Sequence, residues 1–166
     1  MFGFKTHKNL LYNTLVGLSR NIFFYDKLKL PDNFETRIYL IFFHFSIMMI
    51  ISKYKHQKFD QKMYDSLFHN IENNLRELGF GDVTVNKKMK EFNQILYDIL
   101  LKINVKNDAN NDFQINDKLI FKYFGQLKDP KNPSYISFKN YFVNFYKFCF
   151  ELPLKNMVRD AVNYKG

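Results

Sequence analysis

The sequence lacks the residue patterns on which most enzymes and metal proteins depend. It contains no phosphate-binding glycine loop, no zinc-ligand spacing, no nucleophile elbow and no dinucleotide fingerprint. Its 4 histidines fall on separate segments, and no two of them form a ligand pair at positions i and i+4. These absences indicate a protein that is not an enzyme, and they give no reason to expect a cofactor or a bound metal.

Cysteine and alanine are also scarce. Cys149 is the only cysteine, which excludes an internal disulfide and favours a reducing compartment. A lone thiol between two phenylalanines is typical of a small buried hydrophobe. The two alanines, beside abundant Phe, Tyr, Asn, Lys and Ile, suggest AT-rich coding. The net charge of +9 therefore favours an anionic partner such as nucleic acid, anionic lipid or an acidic protein, although coding bias contributes to its size.

No hydrophobic run is long enough to span a membrane. The longest, residues 38–51, has fourteen residues and includes His44 and Ser46, whereas a span needs ~20. A helix that is apolar almost all round is expected at the centre of a bundle, so we predict a central helix at about residues 33–54. No secretory signal is visible in residues 1–8. We expect a bacterial cytoplasmic protein, with peripheral attachment to the inner membrane as the alternative.

Apolar residues recur at helical spacing through most of the rest of the chain, and 166 residues suit one domain. We expect a single all-α bundle of about six to seven helices, with a core at about 10–152 and a basic tail at 153–166 that frays. Thr6 and Asp32 are the predicted N-caps of the first and central helices. The other helices are predicted at about 6–19, 59–78 with Leu75 and Leu78 in its buried stripe, 119–124 and 135–152, with one more that begins after a cap at Asp82 or Thr84 and runs to about Ile103.

Arg37 and His44 are seven residues apart and share the least apolar stripe of the central helix. A partly buried arginine needs a carboxylate or backbone carbonyls as partners. His44 has no second ligand on its helix at a suitable spacing for a metal or a haem. One alternative function is nevertheless a carrier of haem or lipid, which requires a cavity of at least ~300 Å³ beside His44.

The chain turns a corner between two predicted helices at Leu75 to Lys88. Gly79 is expected to take the left-handed conformation that ends the first helix, and Gly81 allows the chain to reverse. Asp82 or Thr84 then caps the second helix. An acid–base role for Asp82 beside Arg76 is conceivable chemically, but capping explains the residue with fewer assumptions.

Lys87, Lys88 and Lys90 fall in about the first turn of the second helix by this prediction. A positive side chain there is disfavoured by ~0.3–1 kcal/mol, because the unpaired amide groups already make the helix end positive. With Arg76, the lysines therefore suggest a site for an anion outside the protein. The alternative is that coding bias has scattered lysine through the chain.

These features occur together with others, namely Leu11-Tyr12 to Arg20, Phe24-Tyr25, Pro31-Asp32, Arg37 with His44, and the corner Leu75-Arg76-Glu77-Leu78-Gly79-Phe80-Gly81-Asp82 followed by Lys87-Lys88. In this combination the sequence resembles the ubiquinol-cytochrome c chaperone family over residues 10–150. The corner is the most specific part of the resemblance. The chain departs from the family where members tend to have Asp-Thr and Gly-Arg before the central helix, since it has Asp32-Asn33 and Thr36-Arg37.

The resemblance implies an all-helical assembly factor for the ubiquinol-cytochrome c reductase complex. Mitochondrial members bind near the ribosomal exit tunnel, act with a partner assembly factor and hold newly made cytochrome b; the chain would be one of their alphaproteobacterial relatives. We therefore expect an aromatic-rich groove to hold apolar client helices. The corner would meet phosphates of ribosomal RNA or anionic membrane headgroups through Arg76, Lys87, Lys88 and Lys90.

Overall fold

The computed structural model describes residues 10–105 and 113–166, and seven α-helices form within them. A π-helical turn at Phe23–Lys27 and 3-10 turns at Gly125–Leu127 and Ala161–Asn163 connect or extend these helices. In the described ranges, extended pairing is limited to an isolated bridge between Asn104 and Ile115. The predicted all-α class is confirmed. The helices are α1 (Leu10–Ser19), α2 (Phe34–Tyr54), α3 (Gln61–Glu77), α4 (Asp82–Lys102), α5 (Asp117–Tyr123), α6 (Pro133–Glu151) and α7 (Leu154–Asp160).

Helix α2 forms the centre of the bundle. It packs against α1, α4, α6 and α7, and every residue from Leu40 to Met48 is at most 3% exposed. By length and mean hydropathy (1.5) α2 is a candidate membrane span, but 67% of its most apolar window is buried within the protein. This burial is what a core helix of a soluble bundle shows, and the predicted central helix is confirmed.

The core is built largely from aromatic rings. Phe43 of α2 contacts Phe124, Phe138 and Phe142, with ring centroids 5.2 to 6.0 Å apart. Edge-to-face and tilted arrangements predominate in this cluster, as the charge distribution of aromatic rings favours. The high phenylalanine content is therefore used chiefly for packing within the bundle.

Asparagine and aspartate side chains start most of the helices. Asn33 caps α2 by accepting a 2.9 Å hydrogen bond from the Thr36 amide; Asp60, Asn116 and Asn132 cap α3, α5 and α6 in the same way. The prediction of Asp32 as the cap of α2 is wrong by one residue, because its carboxylate instead accepts from the Arg37 guanidinium at 2.8 Å. The predicted cap Thr6 lies outside the described residues.

The C-terminal tail is folded onto the bundle. Met157 of α7 is 1% exposed and Ala161, just after it, is 0% exposed. The Thr14 hydroxyl of α1 donates a 2.7 Å hydrogen bond to the carbonyl of Val158. The expectation that residues 153–166 fray is therefore wrong, since their apolar side chains complete the cover of α1.

Candidate partner-binding surface

The corner between α3 and α4 is a sharp, hydrogen-bonded reversal. Gly79 has a φ of +95°. The Gly79 amide donates to the Arg76 carbonyl at 3.0 Å, and the Phe80 amide donates to the Leu75 carbonyl at 3.3 Å. This pair of bonds is a Schellman motif, which satisfies two carbonyls at the end of α3. The prediction that Gly79 adopts the left-handed conformation is confirmed.

The start of α4 differs from the prediction. Gly81 is the N-cap, in an extended conformation (φ −77°, ψ 168°), and no side chain caps the helix. Asp82 is the first helical residue, so neither it nor Thr84 occupies the cap position as predicted. Lys87 consequently lies beyond the first turn, and the like-charge penalty expected for the lysines does not apply.

Arg76 and Asp82 close the corner by an ion pair. The Arg76 guanidinium contacts the Asp82 carboxylate and, at 3.4 Å, the Glu72 carboxylate one turn earlier in α3. The hydrogen bond to Asp82 raises the pKa of Arg76 above its ordinary value. The positive charge of Arg76 is thus met by acids of the protein itself, so Arg76 holds the corner together and is not free to meet an external anion.

The three lysines remain unpaired. Lys87 and Lys90 are exposed, and Lys88 is half-buried with its Nζ atom 5.1 Å from the centroid of the Phe80 ring. Among the described residues, none of the three forms an ion pair with an acid. Their ammonium groups are therefore available to a partner, as the sequence suggested, although the helix end that was expected to hold an anion is occupied by Asp82.

Exposed apolar residues of the corner were missed by the sequence reasoning. Leu78 is 58% exposed, Phe80 is 39% exposed and Val83 is 85% exposed. Leu78 was predicted to continue the buried stripe of α3, but the helix ends at Glu77 and the chain turns away from the core there. In the sequence, the glycine at position 79 is the signal that the buried stripe ends, because a helix cannot continue its stripe past a C-terminal reversal.

A groove leads from this corner along the surface between α1, α2 and α3. Its volume is about 400 Å³. Two of its lining residues are aromatic, so the expectation of an aromatic-rich groove is wrong for this cavity; the rings are used in the core instead. Leu78 joins the groove to the corner. The lining residues are Tyr12, Val16, Ser19, Arg20, Phe34, Arg37, Ile38, Ile41, Asn74, Glu77 and Leu78.

Arg37 lies on the rim of this groove and is 42% exposed. Its Nη2 atom is 2.6 Å from the Asp32 Oδ1 atom, which confirms that this arginine takes a carboxylate partner. At the floor, the Asn74 amide donates a hydrogen bond to the Tyr12 hydroxyl and links α3 to α1. Arg20, also on the rim, is exposed and has no ion-pair partner among the described residues.

His44 is separated from Arg37 and lies fully inside the bundle. Its Nδ1 donates to the Leu40 carbonyl at 2.6 Å, so Nε2 must accept, at 2.8 Å, from the Tyr141 hydroxyl. Burial lowers the pKa of His44 to about 3, which keeps the ring neutral. Both nitrogens are therefore occupied, and the predicted polar stripe of Arg37 and His44 is not a common site.

The haem or lipid carrier needs a cavity beside His44, which the main cavities do not provide. His44 lines neither the groove nor a second cavity of about 630 Å³ along residues 113–118. Within residues 10–105 and 113–166, no three His, Cys, Asp or Glu side chains gather as a metal site. Cys149 is fully buried and burial raises its pKa to about 12, as expected of a packing residue.

These features define a helical-bundle protein in which a groove opens beside an exposed apolar corner. Comparison with known proteins identifies the class further, since the profile described as "Ubiquinol-cytochrome C chaperone" matches residues 26–125. The chain therefore belongs to the ubiquinol-cytochrome C chaperone family, which indicates a chaperone role in assembly of the ubiquinol-cytochrome c reductase complex. The match includes the corner and most of the groove. No curated protein and no solved structure gives a significant match.

Proposed function

We propose that this protein is a non-enzymatic assembly chaperone that holds newly made cytochrome b until the ubiquinol-cytochrome c reductase complex takes it up. The family match supports the chaperone role in general. The observation that carries the proposal of a client site is the groove itself, a channel of about 400 Å³ with mixed apolar and polar lining that is continuous with the exposed Leu78.

The groove suits an apolar segment of a client protein. Half-buried Val16 and Phe34 and the exposed Leu78 provide apolar contact, while Arg20 and Arg37 stand at the rim. A site that combines apolar and polar groups binds by removing apolar surface from water and fixes orientation by its polar groups. Helices of newly made cytochrome b present such apolar surface before their partner subunits arrive.

Deletion of the gene, with cytochrome b and cytochrome c₁ measured separately, tests the function. We expect selective loss of cytochrome b, restored by the wild-type chain. The variant Val16→Glu, which puts a charge into the groove, is expected not to restore it. The matched control is Val143→Glu, because Val143 is also half-buried but lines the other cavity. Unaltered levels of both cytochromes in the deletion strain contradict the proposal.

Contact with the client is tested by a photo-crosslinking amino acid at position 16, compared with position 143. Cytochrome b is expected to crosslink from position 16 alone. Equal crosslinking from both positions contradicts a client site in the groove. Thermal unfolding of each variant is the check that a lost signal does not come from a lost fold.

A further inference from the structure

We propose that the α3–α4 corner inserts into the surface of a phospholipid bilayer, with Leu78, Phe80 and Val83 among the acyl chains and Lys87, Lys88 and Lys90 at the lipid phosphates. This inference rests on the proposed function and deepens it, because it names the surface on which the client is held. The partner is a membrane containing anionic lipid. Leu78 also lines the groove, whereas Phe80 and Val83 do not, so these two residues separate insertion from client binding.

The corner projects from the bundle as a convex point. All nine residues from Arg76 to Thr84 are exposed. A Cβ atom added at Gly79 or Gly81 would meet no atom within 4 Å, whereas one added at Gly17 would lie 3.0 Å from Val162. A client helix needs a concave surface to cover it, such as the groove. A bilayer, in contrast, accepts a projecting apolar point.

The apolar side chains are concentrated at this point. Within six residues, Leu78, Phe80 and Val83 are 58%, 39% and 85% exposed. Single exposed apolar residues need no explanation, but a contiguous group at a projecting turn indicates a surface that leaves water on binding. Interfacial attachment grows with the apolar area buried and with attraction to anionic lipid.

The lysines lie at the right depth to meet phosphates when the point is buried. Helix α4 rises ~1.5 Å per residue, so Lys87 and Lys90 lie ~6 and ~10 Å along the axis from Val83. Interfacial segments bury their apolar face by ~5–10 Å, which places both lysines at headgroup level. The ammonium of Lys88, over the Phe80 ring, lies between the two regions.

The acids of the corner favour a bilayer over ribosomal RNA. Residues 72–91 contain as many acids as bases, so positive charge is positioned but not in excess; they are Glu72, Glu77, Asp82 and Glu91 against Arg76, Lys87, Lys88 and Lys90. Asp82, inside the point, is neutralised by Arg76. Binding to RNA would gain little electrostatic attraction from this balance of charges, and it would leave the apolar side chains in water. A bilayer uses both features.

Co-flotation of the full chain with vesicles of phosphatidylcholine and phosphatidylglycerol tests the proposal. The triple variant Leu78→Ser, Phe80→Ser and Val83→Ser is expected to lose at least tenfold in binding. The matched control changes three exposed apolar residues elsewhere to serine: Ile22 (73% exposed), Leu101 (79%) and Ile136 (46%). Binding of the corner variant within twofold of the control overturns the proposal. Pure phosphatidylcholine vesicles are expected to bind more weakly, because only the anionic lipid adds attraction for the lysines.

Insertion is read directly with an environment-sensitive fluorophore on Val83→Cys, compared with Leu101→Cys at the other end of α4. Cys149 is buried and remains unlabelled. Vesicles are expected to shift the emission to shorter wavelength at position 83 alone; no shift at position 83 overturns insertion.

Two further outcomes would assign the corner to another partner and overturn the proposal. The first is binding to ribosomal RNA that survives the serine substitutions, disappears in high salt and requires the lysines. The second is loss of crosslinking to cytochrome b from position 16 when only Phe80 and Val83 are changed to serine, measured in detergent without vesicles. That loss would make the corner part of the client site. If cytochrome b does not crosslink from position 16 while the chain still binds vesicles, the client site is refuted and the membrane contact is not.

Discussion

His44 shows how much the surroundings of a single residue decide. Its ring lies 4.8 Å from the rings of Phe142 and Phe145 and is hydrogen-bonded at both nitrogens. The sequence offered His44 as a candidate metal or haem ligand that has no second ligand on its helix. The hydroxyl of Tyr141, 97 residues away in sequence, makes it a core residue.

Substitution of His44 should change the pH dependence of stability. The pKa of His44 is about 3 in the folded protein and ~6.5 when unfolded. Between these values the unfolded chain binds a proton that the folded protein does not. The free energy of unfolding therefore falls with falling pH by up to ~1.4 kcal/mol per pH unit. Urea unfolding at pH 7, 6 and 5 should show this slope, and His44→Gln should reduce it; parallel curves for the two proteins contradict the assignment.

At the scale of the element, the two glycines of the corner have different backbone conformations and different roles. Gly79 has positive φ, where a side chain is strained, whereas Gly81 has an extended conformation that any residue adopts. Both have open space where a Cβ would be added. Backbone conformation alone therefore separates them.

Gly79→Ala is expected to destabilise the protein by ~1 kcal/mol, because alanine is strained in the left-handed region. Gly81→Ser is the control, with an expected change within ~0.5 kcal/mol, because serine is favoured at an N-cap and Gly81 has an extended conformation. Chemical denaturation of both variants measures the difference. Equal effects of the two substitutions would show that the Schellman turn does not depend on the glycine at position 79.

At the scale of the whole molecule, the tail completes the bundle. Helix α1 packs on α2, α3 and α7, so it is covered partly by the last residues of the chain. The Tyr164 hydroxyl also donates to the Tyr141 carbonyl at 3.1 Å and ties the tail to α6. The two ends of the described chain therefore stabilise each other.

Met157→Ala should destabilise the protein by ~2–5 kcal/mol, since it removes a fully buried side chain between α7 and the core. Lys155→Ala, on the exposed side of the same helix, serves as the control with an expected change within ~0.5 kcal/mol. Thermal and urea unfolding distinguish the two. A Met157 variant as stable as the control would mean that the tail does not pack as described.

Much of the fold was predictable because it depends on local chemistry. Helix positions followed from the spacing of apolar residues, and the reversal at Gly79 followed from the special backbone of glycine. The site was predictable only in part. The lysines form no ion pair within the described residues, and their role as an anion site stays a prediction. The helix start was placed incorrectly after a cap at Asp82 or Thr84, because boundaries depend on which side chains find partners across the turn.

The sequence by itself determined the all-α class, the central position of α2 and the left-handed turn at Gly79, because apolar periodicity and glycine geometry act within a few residues. Only the tertiary structure decided that Arg76 is held by Asp82, that the Tyr141 hydroxyl meets His44 and that the tail covers α1. Those outcomes depend on contacts formed when separate elements pack, and no local pattern specifies which surface remains uncovered.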